Sequence, residues 1–186
     1  MKLYILRHEE RPPHNPGFET SLTEFGRHKA MFSLKNTLRS IQFTHVFSSP
    51  FPRVLQTIAP FARNNHDVSI EYGLAEGLTD PVFMSATDFA VVDPPCSLTG
   101  RKSAVDPNDY KFPESDERIR TRAKIFYYGL VADHKDHDHT ILLASHKCIC
   151  NALLELMTGE PRGLEDEYAM GKLATTDADS KIIWAN

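Results

Sequence analysis

Three short apolar runs, at 3–6, 44–47 and 140–144, each give way to polar residues and then to a segment with helix-like spacing. Continuous apolar runs of four or five residues are what strands buried on both faces need. After the first run, Thr23 is a candidate N-cap, and Ala30, Leu34, Leu38 and Ile41 recur at three- and four-residue spacing on one helical face. After the second run, Pro50 and Pro52 suit a first helical turn, and a helix is expected over 54–63 with Pro60 kinking or ending it. A third helix is expected over 118–132, with Ile119, Ala123, Phe126 and Leu130 facing inward, and it feeds the strand at 140. The last clear helix, 149–157, meets Gly159 and then Pro161, the residues that stop helices, and 180–184 reads as a final edge strand.

This alternation predicts an α/β fold, a three-layer α/β/α sandwich with a mainly parallel central sheet. Ligands then bind beyond the carboxyl ends of the strands. The pattern fails between 79 and 117, where Pro94, Pro95, Gly100, Pro107 and Pro113 accumulate. Long irregular segments inside compact domains usually carry function or move, so 79–117 is expected to be an inserted lid.

With 186 residues, 41% of them hydrophobic, the chain has enough apolar material for one core, and a single domain over 1–186 is expected. Charged residues at 25% and a mean hydropathy of -0.37 exclude a largely disordered chain and a membrane protein. Lys and Arg number 21 against 25 Asp and Glu, which lacks the basic excess that a nucleic acid backbone demands. Cys96, Cys148 and Cys150 form no CxxC pair and are read as reduced thiols. The start of the chain has no signal-peptide core, so a cytoplasmic location is the expectation.

The chemistry lies at the predicted strand ends. Arg7 and His8 follow the first strand, Ser48, Ser49 and Pro50 the second with Arg53 in the next helical turn, and Ser145 and His146 the third. Each residue taken alone reads as an ordinary surface or strand-end residue. Together, two arginines and two histidines on one rim suit a phosphoryl group: guanidinium forks fit its oxygens, and imidazole is a nucleophile near neutral pH. A helix N-terminus after Ser49 adds backbone donors.

These residues carry a resemblance. Leu6-Arg7-His8, Leu22-Thr23 with Gly26 and Ala30, Ser48-Ser49-Pro50 with Arg53, Gln56 and Thr57, and Ser145-His146 resemble, in order, the motifs of the histidine phosphatase superfamily, also called phosphoglycerate mutase-like. The resemblance implies that His8 is the nucleophile and becomes a phosphohistidine. It implies that Arg7, Arg53 and His146 form the phosphate pocket, with His146 protonated when an anion is bound. It needs no metal and no cofactor. Leu74-Ala75-Glu76 matches the segment that supplies the proton donor, and Glu76 then needs a raised pKa. A solvated loop carboxylate is the other reading of Glu76, with Glu71 and Asp80 nearby.

Several positions depart from the family pattern. Glu9 stands where Gly is usual and brings a negative charge toward the phosphate site. Lys29 stands where Gln is frequent, and Lys147 replaces a small residue. Glu10 and Arg11 complete an Arg-His-x-Glu-Arg order like that of the TULA-type and ecdysteroid-phosphate phosphatases. Glu10, Arg11 and Lys147 are therefore the candidate substrate-binding residues. The expected activity is a metal-independent phosphomonoesterase acting on a phosphorylated small molecule or phosphoprotein. The alternatives are phosphoglycerate mutase-type transfer and an inactive phosphate-binding pseudoenzyme. His134, His137 and His139, interleaved with Asp133, Asp136 and Asp138, are read as a solvated turn in preference to a metal site. Cys148 and Cys150 are read as buried packing.

Overall fold

The computed structural model describes residues 1–14, 17–63, 65–79, 91, 93–109 and 113–185. Its frame is a six-stranded sheet made of β1 (Lys2–Arg7), β2 (His45–Ser48), β3 (Val68–Ile70), β4 (Thr140–Ser145), β5 (Leu173–Thr176) and β6 (Ile182–Trp184), in the order β3-β2-β4-β1-β5-β6. The first four strands of that order run parallel, and β5 and β6 are antiparallel additions at one edge. The mainly parallel sandwich expected from the alternation is what forms.

Strand residues divide between two cores because successive side chains point to opposite faces. Tyr4, Leu6, Val46, Leu142 and Ala144 join one cluster, with Leu34, Leu38, Val54 and Ile58. Leu3, Ile5, Phe47, Ile141 and Leu143 join the other, with Ile119, Phe126, Ile149 and Leu153. The helices are α1 (Glu24–Lys29), a π-helical turn (Ala30–Leu34), α2 (Lys35–Arg39), α3 (Pro52–Ala62), α4 (Asp116–His134) and α5 (Lys147–Thr158). Thr23 caps α1 as expected, its hydroxyl accepting from the Gly26 amide at 3.0 Å. Gly159 ends α5 with φ of +73°, a left-handed conformation that glycine adopts without strain.

Pro60 does not end α3, which continues to Ala62; the hydrogen bond it forfeits falls in the last turn, where few remain to lose. Helix α4 begins at Asp116 behind a Ser115 cap, and α5 begins at Lys147, each two residues earlier than the pattern suggested. Strands β3 and β5 carry no signal of their own, being short and including Ser and Thr.

Within the expected lid, residues 80–90, 92 and 110–112 lie outside the described residues. What is described is tied to the body. The Val68 amide donates to Ser97 O and the Thr99 amide to Val68 O, both at 2.9 Å, which attaches this segment to the free edge of β3. The Glu71 carboxylate accepts from Ser103 Oγ at 2.6 Å and from the Ala104 amide at 2.9 Å.

Candidate active site

Register places the chemistry. Arg7 pairs with Ser145 across β1 and β4, and Ser48 pairs with Ala144 across β2 and β4, so His8, Ser49 and His146 emerge side by side at one rim. The His8 amide donates to Ser145 O and the Ser49 amide to Ala144 O, each at 3.0 Å, which locks the three strand ends together.

His8 is buried, and its Nδ1 lies 2.7 Å from Glu9 O. A carbonyl only accepts, so Nδ1 carries the proton and Nε2 keeps its lone pair. Burial first, then the neighbouring His146 and Arg53, hold the His8 pKa well below 6.5. The ring is neutral at physiological pH. His146, 5.2 Å away between ring centroids, caps α5. Its Nε2 is 2.8 Å from Ser49 Oγ, and its Nδ1 is 3.1 Å from Glu76 Oε2.

Arg53 reaches in from the first turn of α3 and is completely buried. It donates to Gly17 O at 3.0 Å and to Glu76 Oε2 at 3.3 Å, and its guanidinium lies 4.5 Å from the centre of the Phe51 ring. Burial lowers its pKa to about 10, so it stays charged at neutral pH. Arg7 donates to Tyr168 O. The Nε atoms of both arginines are buried without a hydrogen-bond partner, the state of donors awaiting an acceptor.

Two pKa expectations change. Burial pushes His146 down to about 4, overriding the attraction of Glu76, so without an anion it is neutral. For Glu76, burial is the largest single influence and raises the pKa, but His146, Arg53 and His8 together outweigh it and hold the carboxyl well below 4.5. Glu76 is therefore an ion-paired carboxylate in this state, not the protonated acid with a raised pKa that its expected role called for. Its Oε1 also accepts from Cys148 Sγ at 3.2 Å and the Gly77 amide at 3.3 Å. Cys148 is held well above 9 by burial and by Glu76, which makes it an inert thiol.

The structure brings Arg7, Arg11, Glu76, Lys147 and Cys148 together with Asp116, Ile119, Leu164 and Glu165 around one cavity of about 250 Å³. Glu76, on its wall, contacts the buried Arg53 and His146. Lys147 pairs with Glu165 at 2.5 Å at the cavity wall, and Arg11 donates to Pro12 O at 2.7 Å. Glu10 is placed elsewhere. Its carboxylate accepts from Thr23 Oγ1 at 2.8 Å, and its carbonyl oxygen sits 2.3 Å from where a Gly26 Cβ would be, so it docks α1 and does not line the cavity.

Glu9 does not add charge to the phosphate seat. Its buried carboxylate meets Lys29 Nζ at 3.3 Å and lies against Gly171. The two departures at Glu9 and Lys29 are thus partners. Sequence reasoning missed Arg122, which is buried on α4, pairs with Glu114 at 2.9 Å and donates to Gly73 O, Ala75 O and Glu76 O at 3.1, 2.8 and 2.7 Å. The signal was present: Arg122 stands among Ile119, Ala123 and Phe126 on the inward face of its helix. Ser145 Oγ holds the same loop through Leu74 O at 2.6 Å.

A ring nitrogen from each of His8 and His146 and a Glu76 oxygen lie within 4.8 Å of one another, close enough to hold a cation. Arg53 competes for the same carboxylate oxygen and places a fixed positive charge beside that position, so the set suits an anion better.

The sequence pattern of the histidine phosphatase superfamily (branch 1) matches residues 3–178. The chain belongs to this superfamily. No curated protein sequence matches it. The fold is similar to that of the ecdysone phosphate phosphatase from Bombix mori in complex with tungstate, at 14% identity, 98% of this chain, 91% of that one and a TM-score of 0.75. It is similar also to the α-ribazole phosphatase from Shigella flexneri, at 18% identity, 98% and 93% coverage and a TM-score of 0.66. A third similar structure is the protein histidine phosphatase SixA complexed with tungstate, at 14% identity, 99% and 94% coverage and a TM-score of 0.59. These structural neighbours are phosphatases, in line with the branch that the sequence resemblance pointed to. No described helix is long and apolar enough to cross a membrane.

Proposed function

We propose that this histidine phosphatase superfamily member is a metal-independent phosphomonoesterase that works through a phosphohistidine on His8. The observation that carries the reading is the Nδ1 proton of His8 donated to Glu9 O, which fixes the tautomer and leaves Nε2 bare beside Arg53 and His146. In the first step Nε2 attacks phosphorus in line. The bond from phosphorus to the ester oxygen breaks, and that oxygen takes a proton from Glu76. Water then attacks the phosphohistidine, gives its proton back to Glu76, and releases phosphate and neutral His8.

Substrate binding itself raises the Glu76 pKa, and the carboxylate then takes up its proton from solvent. A phosphate dianion that engages Arg53 and His146 takes away the partners that hold the Glu76 pKa down. The burial that already pushes it upward, reinforced by the dianion, then prevails. Bound anion likewise favours protonated His146, the state the phosphate pocket uses. In the free protein the carboxylate occupies the position next to both groups and keeps them paired.

The substrate is taken to be a phosphorylated small molecule or a phosphoprotein, in a cytoplasmic setting, with Arg11, Lys147 and the 79–117 segment contacting the part beyond the phosphate. The reading is tested by release of phosphate from para-nitrophenyl phosphate in chelator. Wild type is expected to turn over and His8→Ala is not. Activity that survives His8→Ala, or that requires added divalent metal, overturns it. Bisphosphate-dependent transfer without net release points to the mutase instead, and vanadate binding without turnover to a pseudoenzyme.

A further inference from the structure

At the opposite end of the sheet, the His/Asp-rich turn that the sequence assigned to solvent is joined by a histidine from another strand. We propose that His45, His134 and His139 form a binding site for a divalent transition-metal ion. A ring nitrogen from each lies within 4.8 Å of the others. The ring centroids form a near-equilateral group, with separations of 4.7 Å for His45 and His134, 4.6 Å for His45 and His139, and 5.1 Å for His134 and His139.

The hydrogen bonding around the cluster orients its nitrogens. Thr44 Oγ1 donates to Thr140 O at 3.0 Å, which uses its only proton. It must therefore accept from His45 Nδ1, 3.0 Å away, so His45 carries its proton on Nδ1 and leaves Nε2 as a free ligand. An oxygen behind a histidine that fixes its tautomer is the usual support of a metal-ligating imidazole. His134 Nδ1 and His139 Nδ1 face each other at 2.8 Å, so a single proton lies between two lone-pair positions. A metal ion replaces that proton, which moves to the outer nitrogen of its ring. At metal–nitrogen distances of about 2.0–2.1 Å in a tetrahedron, the two nitrogens need to be about 3.3 Å apart, a small opening.

Three imidazoles without a thiolate select zinc, copper(II), nickel or cobalt(II) over magnesium or calcium. Water completes the fourth position. Nearby fixed charges offset each other, because Arg101 pairs with Asp133 at 3.0 Å and lies over the Phe47 ring. The site is remote from the catalytic rim: His139 and His146 flank the two ends of β4, about 20 Å apart at strand rise. An ion here staples the end of α4 to the entries of β2 and β4, the two strands whose far ends carry Ser49 and His146. Its role is structural and independent of the phosphatase reading.

The test uses the full chain, free of any histidine tag and stripped with chelator, titrated with zinc or cobalt(II) alone and followed by calorimetry and by cobalt absorption. One equivalent per chain is expected, with the absorption of a four-coordinate site and a higher Tm. His45→Ala and His139→Ala are expected to abolish binding at concentrations that saturate wild type. Thr44→Val weakens it about tenfold, and His137→Ala leaves it unchanged. Phosphate release in chelator is expected to be the same in wild type and His45→Ala, which shows that the variant folds. No stoichiometric binding, binding unchanged in His45→Ala, or binding lost in His146→Ala but kept in His45→Ala overturns the proposal; in the last case the ion sits in the phosphate pocket.

Discussion

Lys29 from the end of α1 and Glu9 from the loop after the nucleophile form a salt bridge of 3.3 Å in which the carboxylate is buried and the ammonium is partly open to water. Removing the lysine strands a buried charge, a loss of about 3–5 kcal/mol for a fully enclosed pair. The exposure of Lys29 and screening by solvent reduce this to about 1–2 kcal/mol. Lys29→Gln is expected to lower Tm by several degrees, and adding Glu9→Gly to restore it. Thermal melts of wild type, both single variants and the double variant check this, and full additivity contradicts the pairing.

Gly171 is the other wall of the Glu9 site. A Cβ there would stand 2.2 Å from Glu9 Oε1, and the residue has φ of +71°. Gly171→Ala is expected to destabilise strongly through both clash and backbone strain. Adding Glu9→Gly relieves the clash and leaves the strain, so the double variant melts between Gly171→Ala and wild type. Equal melting of single and double variants rules out the contact.

Acid sensitivity follows from two buried histidines and the Glu76 carboxylate beside them. The unfolded chain takes up protons on His8 and His146 below about pH 6.5, whereas in the folded chain His8 titrates well below that value and His146 only near 4. Their burial therefore costs stability progressively as pH falls from 6.5 toward 4. Glu76 acts in a lower window: its depressed pKa adds stability above about 4.5, lost as pH falls through its folded value. Tm is expected to decline from pH 7 to 4.5, steepening below. Phosphate release per folded molecule keeps its nucleophile at pH 5.5, so an acid limb set at 6.5 contradicts the low His8 pKa.

Glu76→Gln separates the two roles of that side chain. Loss of the proton donor is expected to slow alkyl phosphates by about 10²–10⁴-fold. Para-nitrophenyl phosphate, whose leaving group needs little protonation, slows far less. The same change removes the negative charge facing Arg53 and His146, so vanadate should bind more tightly. Kinetics with the two substrates and an inhibition titration decide, and equal slowing of both substrates contradicts the assignment.

Arg122 supports that side chain from behind. Arg122→Met leaves Glu114 buried without its cation and frees three carbonyls of the Glu76 loop, at an expected cost of about 3–5 kcal/mol. Arg122→Lys keeps the charge but not the fork. It is expected to fold and to lose kcat on alkyl phosphates more than on para-nitrophenyl phosphate, a difference that loss of stability alone does not produce.

Much of this was legible because the strands carrying the chemistry are buried on both faces and so appear as apolar runs ending in Arg7, Ser48 and Ser145. The convergence of His8, Arg53 and His146 followed from parallel pairing, which local sequence also indicated. Strands β3 and β5 were invisible because three or four residues with partial polarity make no periodic signal. The direction of the Glu76 pKa depended on Arg53 and two histidines brought from distant segments, and no spacing along the chain encodes that sum. Glu9 could be seen as unusual, yet its partner Lys29 lies twenty residues on, across a helix that packs back on the loop.

That helix runs on into the π-helical turn Ala30–Leu34, where the Lys35 amide donates to Ala30 O five residues back, one residue further than in a regular helix. Such a turn is an α-helix that has taken in one extra residue locally. Met31, Phe32 and Ser33, on its outer side, are exposed, while Ala30, Leu34 and Leu38 remain in the core. The segment is therefore a length reserve. Excising one outer residue converts it to uniform helix with both flanking faces kept in phase, whereas the same excision in α4 would rotate everything beyond it by about 100°.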